Sequence, residues 1–546
     1  MSSFIRHLVD TAPQSRLGQS GAAAISFAGR GGVVATQHTL DDLLQRSAGI
    51  ASSIVSEIKA DRVALAFPTG IDFVSTFLAC LMAGKLAVPI PTPRHGPQSQ
   101  RIATILANAQ TEDVICQSAD LAVFADMVSA GGAGAMRSWA VEDLSRSGQA
   151  TDIEALPGFD RPASDLVFLQ YTSGSTQDPT GVGISNGNAL DNAAKAKRAY
   201  LMGSEQFVNW MPHFHDMGLV GGILIPLALG MPSVQMAPFS FLQRPVDLLK
   251  LIASLPEVVC GGPAFSLNIL MDRVPRDVAD ELDLSSWRRL FCGGEPIPAG
   301  LFDRFRAHFR NAGFRPEALY ATYGMAETTL YAAGGYVPEP LSAGAELFEA
   351  CSLSLEDQSH LCIVDPDSGE SVAQGDTGEI WMTGASIGQV FKAGEAAGTT
   401  GQGELNGRRY HRTGDLGKII GDRLYVTGRI KDVLIINGQN IMASEVEWAA
   451  AELSDALNPL AAAAYQMDDD QSCYLEIELR GKAEAGADHS ALTTRMHARL
   501  ASQFGIDFKQ ICIRKRGSLP RTSSGKIQRS RVKQDRGAPR LESAHD

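Results

Sequence analysis

Residues 172–176 read TSGST and directly follow the apolar run LVFLQY at 166–171. Gly174 allows close backbone approach to a ligand, and four side chains supply hydroxyl donors: Thr172, Ser173, Ser175 and Thr176. Such a loop can surround an oxyanion, for example a phosphate group. The pattern G-x-x-x-x-G-K-[ST] fits no window of the chain, so the loop lacks the usual lysine. A plain Ser/Gly turn explains these five residues equally well.

The elements around this loop predict a layered α/β structure. Short apolar runs that end in Gly, Pro or polar residues alternate with helical patterns, as in VALAF at 63–67 followed by a helix from about Asp72. Thr39 with Asp42 is typical of a helix N-cap before the amphipathic stretch at 40–58. Strand–helix alternation predicts mostly parallel sheets covered by helices, with ligands at the carboxyl ends of the strands.

The pattern changes after about residue 360. Tight turns such as Pro-Asp-Ser-Gly separate β-rich segments, which predict a small antiparallel subdomain at about 360–430. Helix, strand and helix patterns then follow, so we expect a large N-terminal domain at 1–430 and a small, mobile α+β domain at 431–546. The charged tail at about 532–546 is poor in apolar residues and is predicted to be disordered.

Composition excludes several classes of protein. The 546 residues carry a net charge of −13, which argues against a nucleic-acid binder. The eight cysteines form no C-x-x-C pair, so we expect buried thiols in a reducing cytoplasm, not a zinc or redox site. The longest apolar stretch is broken by Gly84, Lys85 and Pro89, and the N-terminus lacks a signal-peptide core. The sequence therefore predicts a soluble, cytoplasmic protein without a membrane partner.

Five further segments occur in a recognisable order: CGGEP at 292–296, YGMAE at 323–327, HRTGDLG at 411–417, VTGRIKD at 426–432 and LPRTSSGKIQR at 519–529. Together with the loop at 172–176, this set resembles the adenylate-forming superfamily of acyl-CoA synthetases, adenylation domains and luciferases. Three finer segments are similar to the fatty acyl-AMP ligase branch: PHFHDMGLVGG at 212–222, PFSFLQRP at 238–245 and GGPAFSLNIL at 261–270. The resemblance covers nearly the whole chain.

The resemblance implies a reaction. ATP activates a fatty or related carboxylic acid as its acyl-adenylate, and the acyl group then passes to the phosphopantetheine arm of a holo acyl carrier protein. Both reactants of the first step are anions, so the protein must supply positive charge, donors and alignment. An acyl-CoA synthetase, a ligase of a short non-fatty acid, and a degenerate binding protein without turnover remain as alternatives.

The resemblance also implies a role for each motif. The loop at 172–176 would hold the β and γ phosphates, and Lys526 would bridge the carboxylate and the α-phosphate. Glu327 would be a catalytic residue and the ligand of Mg²⁺, as a hard carboxylate should be. The remaining nucleotide contacts would come from Gly293, Gly294, Glu295, Tyr323, Gly324, Met325, Asp415 and Arg429.

Within that set, Tyr323 would stack on adenine, and Asp415 would accept hydrogen bonds from the ribose. A core aromatic and a turn aspartate are the plainer interpretations of these two residues. The acid would lie near His215, Asp216, Gly221 and Gly222, although His215 also fits a structural histidine. Lys431 in GRIKD matches the hinge about which the small domain swings.

The sequence departs from the family at three places. Gln177 and Thr180 replace the Gly and Lys of the usual loop, so positive charge must come from Mg²⁺ and Lys526. The stretch GGYVPEPLSAGAELFEACS at 334–352 looks abbreviated, which leaves the exclusion of CoA open. Residues 389–391 read QVF in place of Gly-Tyr-Trp.

Two other features have competing interpretations. GASIG at 384–388 matches the hydrolase pattern G-x-S-x-G, but the following residues are weakly helical and His411 is the only nearby downstream histidine. The basic stretch between Arg514 and Lys533 is either a solvated surface or a dock for an acidic carrier protein.

Overall fold

The computed structural model describes residues 3–93, 97–129, 136–148, 152–172, 180–201, 203–337, 351–391, 401–436, 438–481, 489–522 and 525–537. Its α-helices are α1 Phe4–Thr11, α2 Leu40–Glu57, α3 Ile71–Met82, α4 Pro97–Ala109, α5 Leu121–Ser129, α6 Val141–Ser147, α7 Asn186–Tyr200, α8 Ile225–Ala228, α9 Pro238–Gln243, α10 Pro245–Ala253, α11 Ala264–Arg273, α12 Arg276–Asp280, α13 Leu301–His308, α14 Leu355–His360, α15 Ala443–Ala451, α16 Ser490–Phe504 and α17 Arg529–Gly537. A π-helical segment, Met217–Leu224, leads into α8.

The strands run along the whole chain. They are β1 Ala23–Ala28, β2 Val34–Thr39, β3 Arg62–Ala66, β4 Leu86–Ile90, β5 Asp113–Cys116, β6 Arg137–Ala140, β7 Leu166–Tyr171, β8 Gly181–Ser185, β9 Gln206–Asn209, β10 Ser233–Gln235, β11 Val258–Gly262, β12 Trp287–Gly293, β13 Leu319–Tyr323, β14 Ala333–Tyr336, β15 Cys351–Ser352, β16 Leu361–Val364, β17 Gly378–Met382, β18 Gln389–Phe391, β19 Gln402–Leu405, β20 Arg408–Ile420, β21 Arg423–Arg429, β22 Val433–Ile436, β23 Gln439–Met442, β24 Leu457–Gln466, β25 Cys473–Leu479 and β26 Phe508–Arg514.

Two large sheets form the first part of the molecule. One has eight strands in the order β14-β13-β12-β11-β9-β10-β1-β2, and the other has seven in the order β18-β8-β7-β4-β3-β5-β6. In the eight-stranded sheet the inner pairs are parallel and both edge strands, β2 and β14, pair antiparallel. In the seven-stranded sheet β8 and β18 pair antiparallel at one edge, and the remaining strands through β6 at the other edge pair parallel. The predicted mixed α/β fold with mostly parallel, helix-covered sheets is confirmed.

Local chemistry explains where the elements begin. The Thr39 side chain accepts from the Asp42 amide and the Asp42 carboxylate accepts from the Thr39 amide, which forms a capping box at the start of α2. Ser185 and Asn188 repeat this arrangement at the start of α7. The predicted helix N-cap at Thr39 is therefore confirmed.

The later sheets are smaller. The six strands β15, β16, β17, β19, β20 and β21 pair antiparallel. After them come the hairpin β22–β23 and a three-stranded sheet, β24-β25-β26, with its own apolar core under α15 and α16. These sheets fit the predicted division of the chain, whose boundaries at 360 and 430 stay predictions.

The C-terminal segment differs from the sequence prediction at one point. Residues 529–537 form helix α17, and Val532 is buried against Tyr465 and Leu519. The burial of Val532 and the ion pairs of Lys533 and Arg536 with Asp468 and Glu476 thus hold a segment whose overall composition suggested disorder. The rest of the predicted tail lies outside the described residues.

No helix in the described part of the chain is both long and apolar enough to cross a membrane. Six of the eight cysteines are buried thiols, and the other two are partly buried.

Candidate active site

A cavity of about 370 Å³ opens where strands of the eight-stranded sheet end and the small domain comes close. The large domain contributes residues that follow β7, β12 and β13, as the rule for parallel sheets predicts. The β-rich subdomain and the small domain supply its other wall. Most of the residues predicted for the site line this one cavity: Thr172, His215, Asp216, Gly221, Gly294, Glu295, Tyr323, Gly324, Met325, Glu327, Asp415, Arg429 and Lys526.

Tyr323, Asp415 and Arg429 form a connected group on one wall. The Tyr323 hydroxyl donates to Asp415 Oδ2 over 2.9 Å, and Arg429 Nε lies 2.8 Å from Asp415 Oδ1. Asp415 and Arg429 are directly opposite each other in the β20–β21 hairpin, so the register of the sheet brings the pair together. The Asp415 carboxylate raises the pKa of Arg429, which holds the guanidinium charged.

Lys526 reaches this group from the small domain. Its ammonium donates to the main-chain carbonyl of Gly294. Removal from bulk water lowers the pKa of Lys526, while the Glu295 and Asp216 carboxylates oppose the shift. Burial also raises the pKa of Glu295, whose Oε1 accepts from the Phe265 amide over 2.9 Å.

His215 and Asp216 lie at the start of the π-helical segment. His215 Nδ1 is 2.5 Å from Asp216 Oδ1, and the Met217 amide donates to the same oxygen over 2.7 Å. Burial favours the neutral acid, but His215, Lys526 and the Met217 amide outweigh it and hold the pKa of Asp216 below its usual value. Asp216 is thus an anion already engaged by donors.

Glu327 follows β13 in a short 3₁₀ turn and faces the same cavity. Burial raises the pKa of its carboxyl, and the Arg429 charge opposes that shift. The described residues contain no cluster of three or more metal-binding side chains. Mg²⁺ commonly needs only one or two carboxylates because phosphate oxygens and water complete its shell, so a single Glu327 fits that ion.

The glycines of the site differ in position. Gly294 has φ +79°, a backbone conformation that favours glycine, and a Cβ there would also require the end of the Met217 side chain to move. Gly221 lines the cavity opposite Leu330. Gly222 and Gly293 do not line it, since Gly222 packs on the Asn209 side chain and Gly293 on Thr322 of the neighbouring strand. Sheet and helix packing requires these two glycines.

The phosphate loop is described only at its base. The Thr172 amide donates to the Thr180 carbonyl over 3.1 Å, so these two residues close the loop. Arg101 donates to the Thr172 carbonyl over 3.1 Å and places a cation beside this base. Ser173, Gly174, Ser175 and Thr176 lie outside the described residues, as do Gln177 and residues 338–350 of the abbreviated stretch.

Several cavity residues escaped the sequence analysis. Gln170 is the next-to-last residue of β7, the strand before the loop. An apolar part of the wall consists of Tyr200, Phe207, Phe291, Leu330 and Tyr331. The aromatic residues come from three separate parts of the chain, at positions 200–207, 291 and 331, and share no motif. Gln170 stands inside the apolar run LVFLQY, and a polar side chain in that run was the available signal.

The hydrolase interpretation of GASIG does not hold. The Ser386 hydroxyl donates to Asp191 Oδ2 over 2.6 Å, and its main-chain carbonyl accepts from Thr329. In the Ser-His-acid arrangement of the G-x-S-x-G hydrolases the serine hydroxyl donates to a histidine, whereas its partner here is a carboxylate. Residues 389–391 form β18, which pairs antiparallel with β8.

The predicted hinge, Lys431, lies in a 3₁₀ turn at Ile430–Asp432. Its neighbour Asp432 is ion-paired with Arg529 of α17. Arg529 Nη2 also lies 2.8 Å from Glu447 Oε1, so α15, α17 and the end of the hinge are joined.

The basic stretch is mostly neutralised within the small domain. Arg514, Arg521 and Lys533 are 2.7–2.8 Å from the carboxylates of Glu476, Glu478 and Asp468. Intramolecular ion pairs therefore account for much of the charge. The proposed dock on the whole stretch stays a prediction.

Comparison with known proteins agrees with this geometry. A model of the family described as AMP-binding enzyme matches residues 18–392. The medium-chain-fatty-acid–[acyl-carrier-protein] ligase TtuA of Teredinibacter turnerae is 34% identical over 402 residues, which are 68% of this chain and 63% of that protein. The chain thus spans less than two thirds of TtuA.

Two other similar proteins align over most of their length. The long-chain-fatty-acid–AMP ligase FadD26 of Mycobacterium marinum is 29% identical over 87% of this chain and 86% of its own. The medium-chain-fatty-acid–[acyl-carrier-protein] ligase JamA of Moorena producens is 29% identical over 94% and 92%. A solved structure from a study of fatty acyl-adenylate ligases of E. coli and L. pneumophila superposes with a TM-score of 0.85 at 28% identity, covering 98% of both chains.

Proposed function

Because the chain belongs to the AMP-binding enzyme family, we propose that it activates a fatty or related carboxylic acid with ATP and loads the acyl group onto a holo acyl carrier protein. One observation carries the proposal. Lys526 of the small domain shares a single cavity with the Tyr323–Asp415–Arg429 group and with His215–Asp216. The site thus combines cations for phosphate with donors and acceptors for a nucleoside.

In the first half-reaction a carboxylate oxygen of the acid attacks the α-phosphorus of ATP. A new P–O bond forms, the bond to the β-phosphate oxygen breaks, and pyrophosphate leaves. Lys526 would neutralise the charge shared by the acid and the α-phosphate, and Arg429 would add a second cation. Because the Lys526 ammonium already donates to the Gly294 carbonyl, it is held in place before substrates bind.

The nucleoside would lie against the wall that carries Tyr323 and Asp415. Asp415 has one carboxylate oxygen bound by Tyr323 and the other by Arg429, so its orientation is fixed before a ribose arrives. Gly324 and Gly294 also line the cavity. Glu327 would hold Mg²⁺, which supplies positive charge to the leaving pyrophosphate when bound.

In the second half-reaction the thiol of the carrier's phosphopantetheine arm attacks the acyl carbon. A C–S bond forms, the C–O bond to AMP breaks, and the thiol proton is released to solvent. Lys526 belongs to the first step only, so the small domain would swing away about Lys431 before the arm enters. The names of TtuA and JamA support a carrier protein as the acceptor.

The acid would extend into the apolar part of the cavity. Phe207, Phe291 and Leu330 line this part, and Gly221 leaves space opposite Leu330. Apolar walls of this kind suit the hydrocarbon part of an acid. FadD26, TtuA and JamA are each named for fatty acids, which supports the same substrate class.

The test has two stages. Pyrophosphate exchange with ATP is measured across a panel of acids and should proceed with fatty or related acids and stop when the acid is omitted. Purified protein, ATP and the preferred acid are then offered either holo carrier or CoA, and products are resolved by mass. Loading of the carrier supports the proposal. Efficient formation of acyl-CoA would instead identify an acyl-CoA synthetase, and binding of ATP without exchange would identify a degenerate protein.

A further inference from the structure

Arg101 lies beside the phosphate loop although the two are far apart in sequence. It belongs to α4, and its Nη2 donates to the main-chain carbonyl of Thr172 over 3.1 Å. Thr172 lines the cavity, and its own amide donates to the Thr180 carbonyl over 3.1 Å. Thr172 thus connects the Arg101 guanidinium to the base of the loop.

The topology of the seven-stranded sheet produces this contact. Strands β4 and β7 pair in parallel, and α4 follows β4 just as the phosphate loop follows β7. Both segments therefore leave the sheet at its carboxyl edge, where ligands of parallel sheets bind. A second contact holds α4 against β7, since the Tyr171 hydroxyl donates to Asn108 Oδ1 over 2.7 Å. The position of Arg101 thus follows from the fold and does not depend on one hydrogen bond.

The Arg101 guanidinium is a partly buried charge. Burial lowers its pKa, and no carboxylate in the described ranges of the chain opposes that shift. Arg429 is the contrast, because the Asp415 carboxylate lies 2.8 Å away and raises the pKa of that arginine. Arginine stays protonated in proteins, so Arg101 retains its charge. A buried charge without a counter-ion is stabilised by an anion that binds beside it.

The other cations of the cavity serve the opposite end of the triphosphate. In the proposed function Lys526 and Arg429 act at the α-phosphate, whereas the leaving pyrophosphate carries most of the negative charge of ATP. The residues that close the base of the phosphate loop, Thr172 and Thr180, have neutral side chains. Arg101 places a cation at this base. Its planar group has five N–H donors, so it can keep the Thr172 carbonyl and also contact phosphate oxygens.

We propose that Arg101 is a substrate-binding residue that contacts the β and γ phosphates of ATP and the pyrophosphate that leaves. Position 180 carries a neutral threonine, so the positive charge at the loop comes from α4. This inference rests on the proposed function, because it takes ATP as the occupant of the cavity. A purely structural Arg101 would fasten α4 to the loop and would affect the binding of ATP and AMP alike.

The experiment compares two nucleotides in the intact protein. Binding of MgATP and of AMP is measured by titration calorimetry for the wild type and for Arg101→Gln. AMP has the same nucleoside and α-phosphate as ATP but lacks the two outer phosphates. We expect Arg101→Gln to weaken MgATP binding about tenfold or more and to leave AMP binding within about twofold of the wild type.

Arg62→Gln is the matched control. Arg62 donates to the main-chain carbonyl of Ala109 over 2.7 Å, so it makes the same kind of contact at the other end of α4. This variant should leave the ratio of ATP affinity to AMP affinity unchanged.

The double variant Arg101→Gln/Thr180→Lys tests the charge itself. Lysine at position 180 returns a cation to the loop but does not restore the bond from α4 to Thr172. If the charge is what binds the outer phosphates, the double variant should regain most of the ATP affinity that Arg101→Gln loses. The gain from Thr180→Lys should be larger in this background than in the wild type.

A further measurement needs no variant. Arg101 is partly exposed, so phenylglyoxal should modify it in the free protein. MgATP should protect Arg101 from this reagent and AMP should not, as measured from peptide masses.

Three results would each overturn the inference: equal modification with and without MgATP, an unchanged ratio of ATP to AMP affinity in Arg101→Gln, or a double variant that regains no ATP affinity. In each case acid-dependent pyrophosphate exchange in the wild type would leave the proposed function standing. A wild type that binds no ATP would instead overturn the proposed function, and this inference with it.

Discussion

Lys526 Nζ donates to the main-chain carbonyl of Gly294, a residue 232 positions earlier in the chain. The contact joins the small domain to the residue that follows β12 of the large domain. It places Lys526, the lysine of the SSGK motif, inside a cavity that is built mainly by the large domain. Catalysis in this geometry depends on how the two domains meet.

Replacement of this lysine should remove most of the adenylation activity. Lys526→Ala loses a preoriented charge at the α-phosphate, which typically lowers the rate about 10²–10³-fold. Pyrophosphate exchange measures the effect. Lys533→Ala is the control, because Lys533 belongs to the same domain and pairs with the exposed Asp468. Near-normal exchange in Lys526→Ala would contradict the assignment.

Glu327 should make the response to Mg²⁺ depend on pH. Burial raises the pKa of its carboxyl above the ordinary 4.5, and only the ionised form binds the metal. The apparent affinity for Mg²⁺ should therefore strengthen as pH rises above 4.5 and level off once Glu327 is ionised. Glu327→Gln should weaken Mg²⁺ binding and flatten this dependence. The apparent Mg²⁺ affinity is measured by titrating pyrophosphate exchange with Mg²⁺ at several pH values. If the pH dependence of this affinity is the same in Glu327→Gln as in the wild type, Glu327 is not the ligand.

A lysine at position 180 should strengthen ATP binding. Thr180 closes the base of the phosphate loop through its carbonyl, which the substitution retains. Thr180→Lys adds one positive charge near the triphosphate, so the KM for MgATP should fall. The neutral Thr180→Gln is the control for size. A several-fold rise in KM with lysine but not with glutamine would show that the loop is built for a different charge distribution.

Proline at the hinge should separate the two half-reactions. Lys431 lies in a 3₁₀ turn, and proline fixes φ and removes the amide donor. Because Lys526 already occupies the cavity, we expect Lys431→Pro to retain pyrophosphate exchange and to lose carrier loading. Lys431→Ala keeps the backbone freedom and should retain both. Equal loss of both activities in the proline variant would argue against a hinge at this position.

His213 should make folding stability depend on pH. Burial lowers the pKa of His213 from 6.5 to about 4, so the unfolded chain binds the proton more tightly than the folded one. The contribution of neutral His213 to the free energy of unfolding is therefore complete above pH 6.5. It decreases by about 3 kcal/mol as the pH falls toward 4. His213→Gln keeps an amide near the Gln235 acceptor and does not titrate. The free energy of unfolding, measured with denaturant across this pH range, should depend less on pH in the variant than in the wild type. An equal dependence on pH in the two proteins would contradict the prediction.

Local patterns and family motifs predict different parts of this molecule. The N-cap at Thr39 and the apolar strand before the phosphate loop could be read from neighbouring residues, because short-range chemistry fixes them. The structure brings Tyr323, Asp415 and Lys526, which the motifs singled out, into one cavity, and their roles stay predictions. The ion pair between Asp415 and Arg429 could not be predicted, because it depends on the register of the β20–β21 hairpin.

Tertiary packing explains the remaining differences. The family resemblance placed Gly222 near the acid, yet Gly222 does not line the cavity and packs against the Asn209 side chain. The composition of the C-terminal residues suggested disorder, yet the burial of Val532 and the ion pairs of Lys533 and Arg536 hold helix α17. Neither outcome is encoded by the residues next to it in sequence, because both depend on partners far along the chain.

Two ion pairs enclose the turn at residues 430–432. Asp415 holds Arg429 on the side of the large domain, and Arg529 holds Asp432 on the side of the small domain. Only Ile430 and Lys431 lie between these two anchors. In the proposed swing, a large reorientation would therefore be concentrated in the φ and ψ angles of two residues. Such a short joint gives the rotation a well-defined axis, so the thiol arm would meet the same carbonyl face in every catalytic cycle.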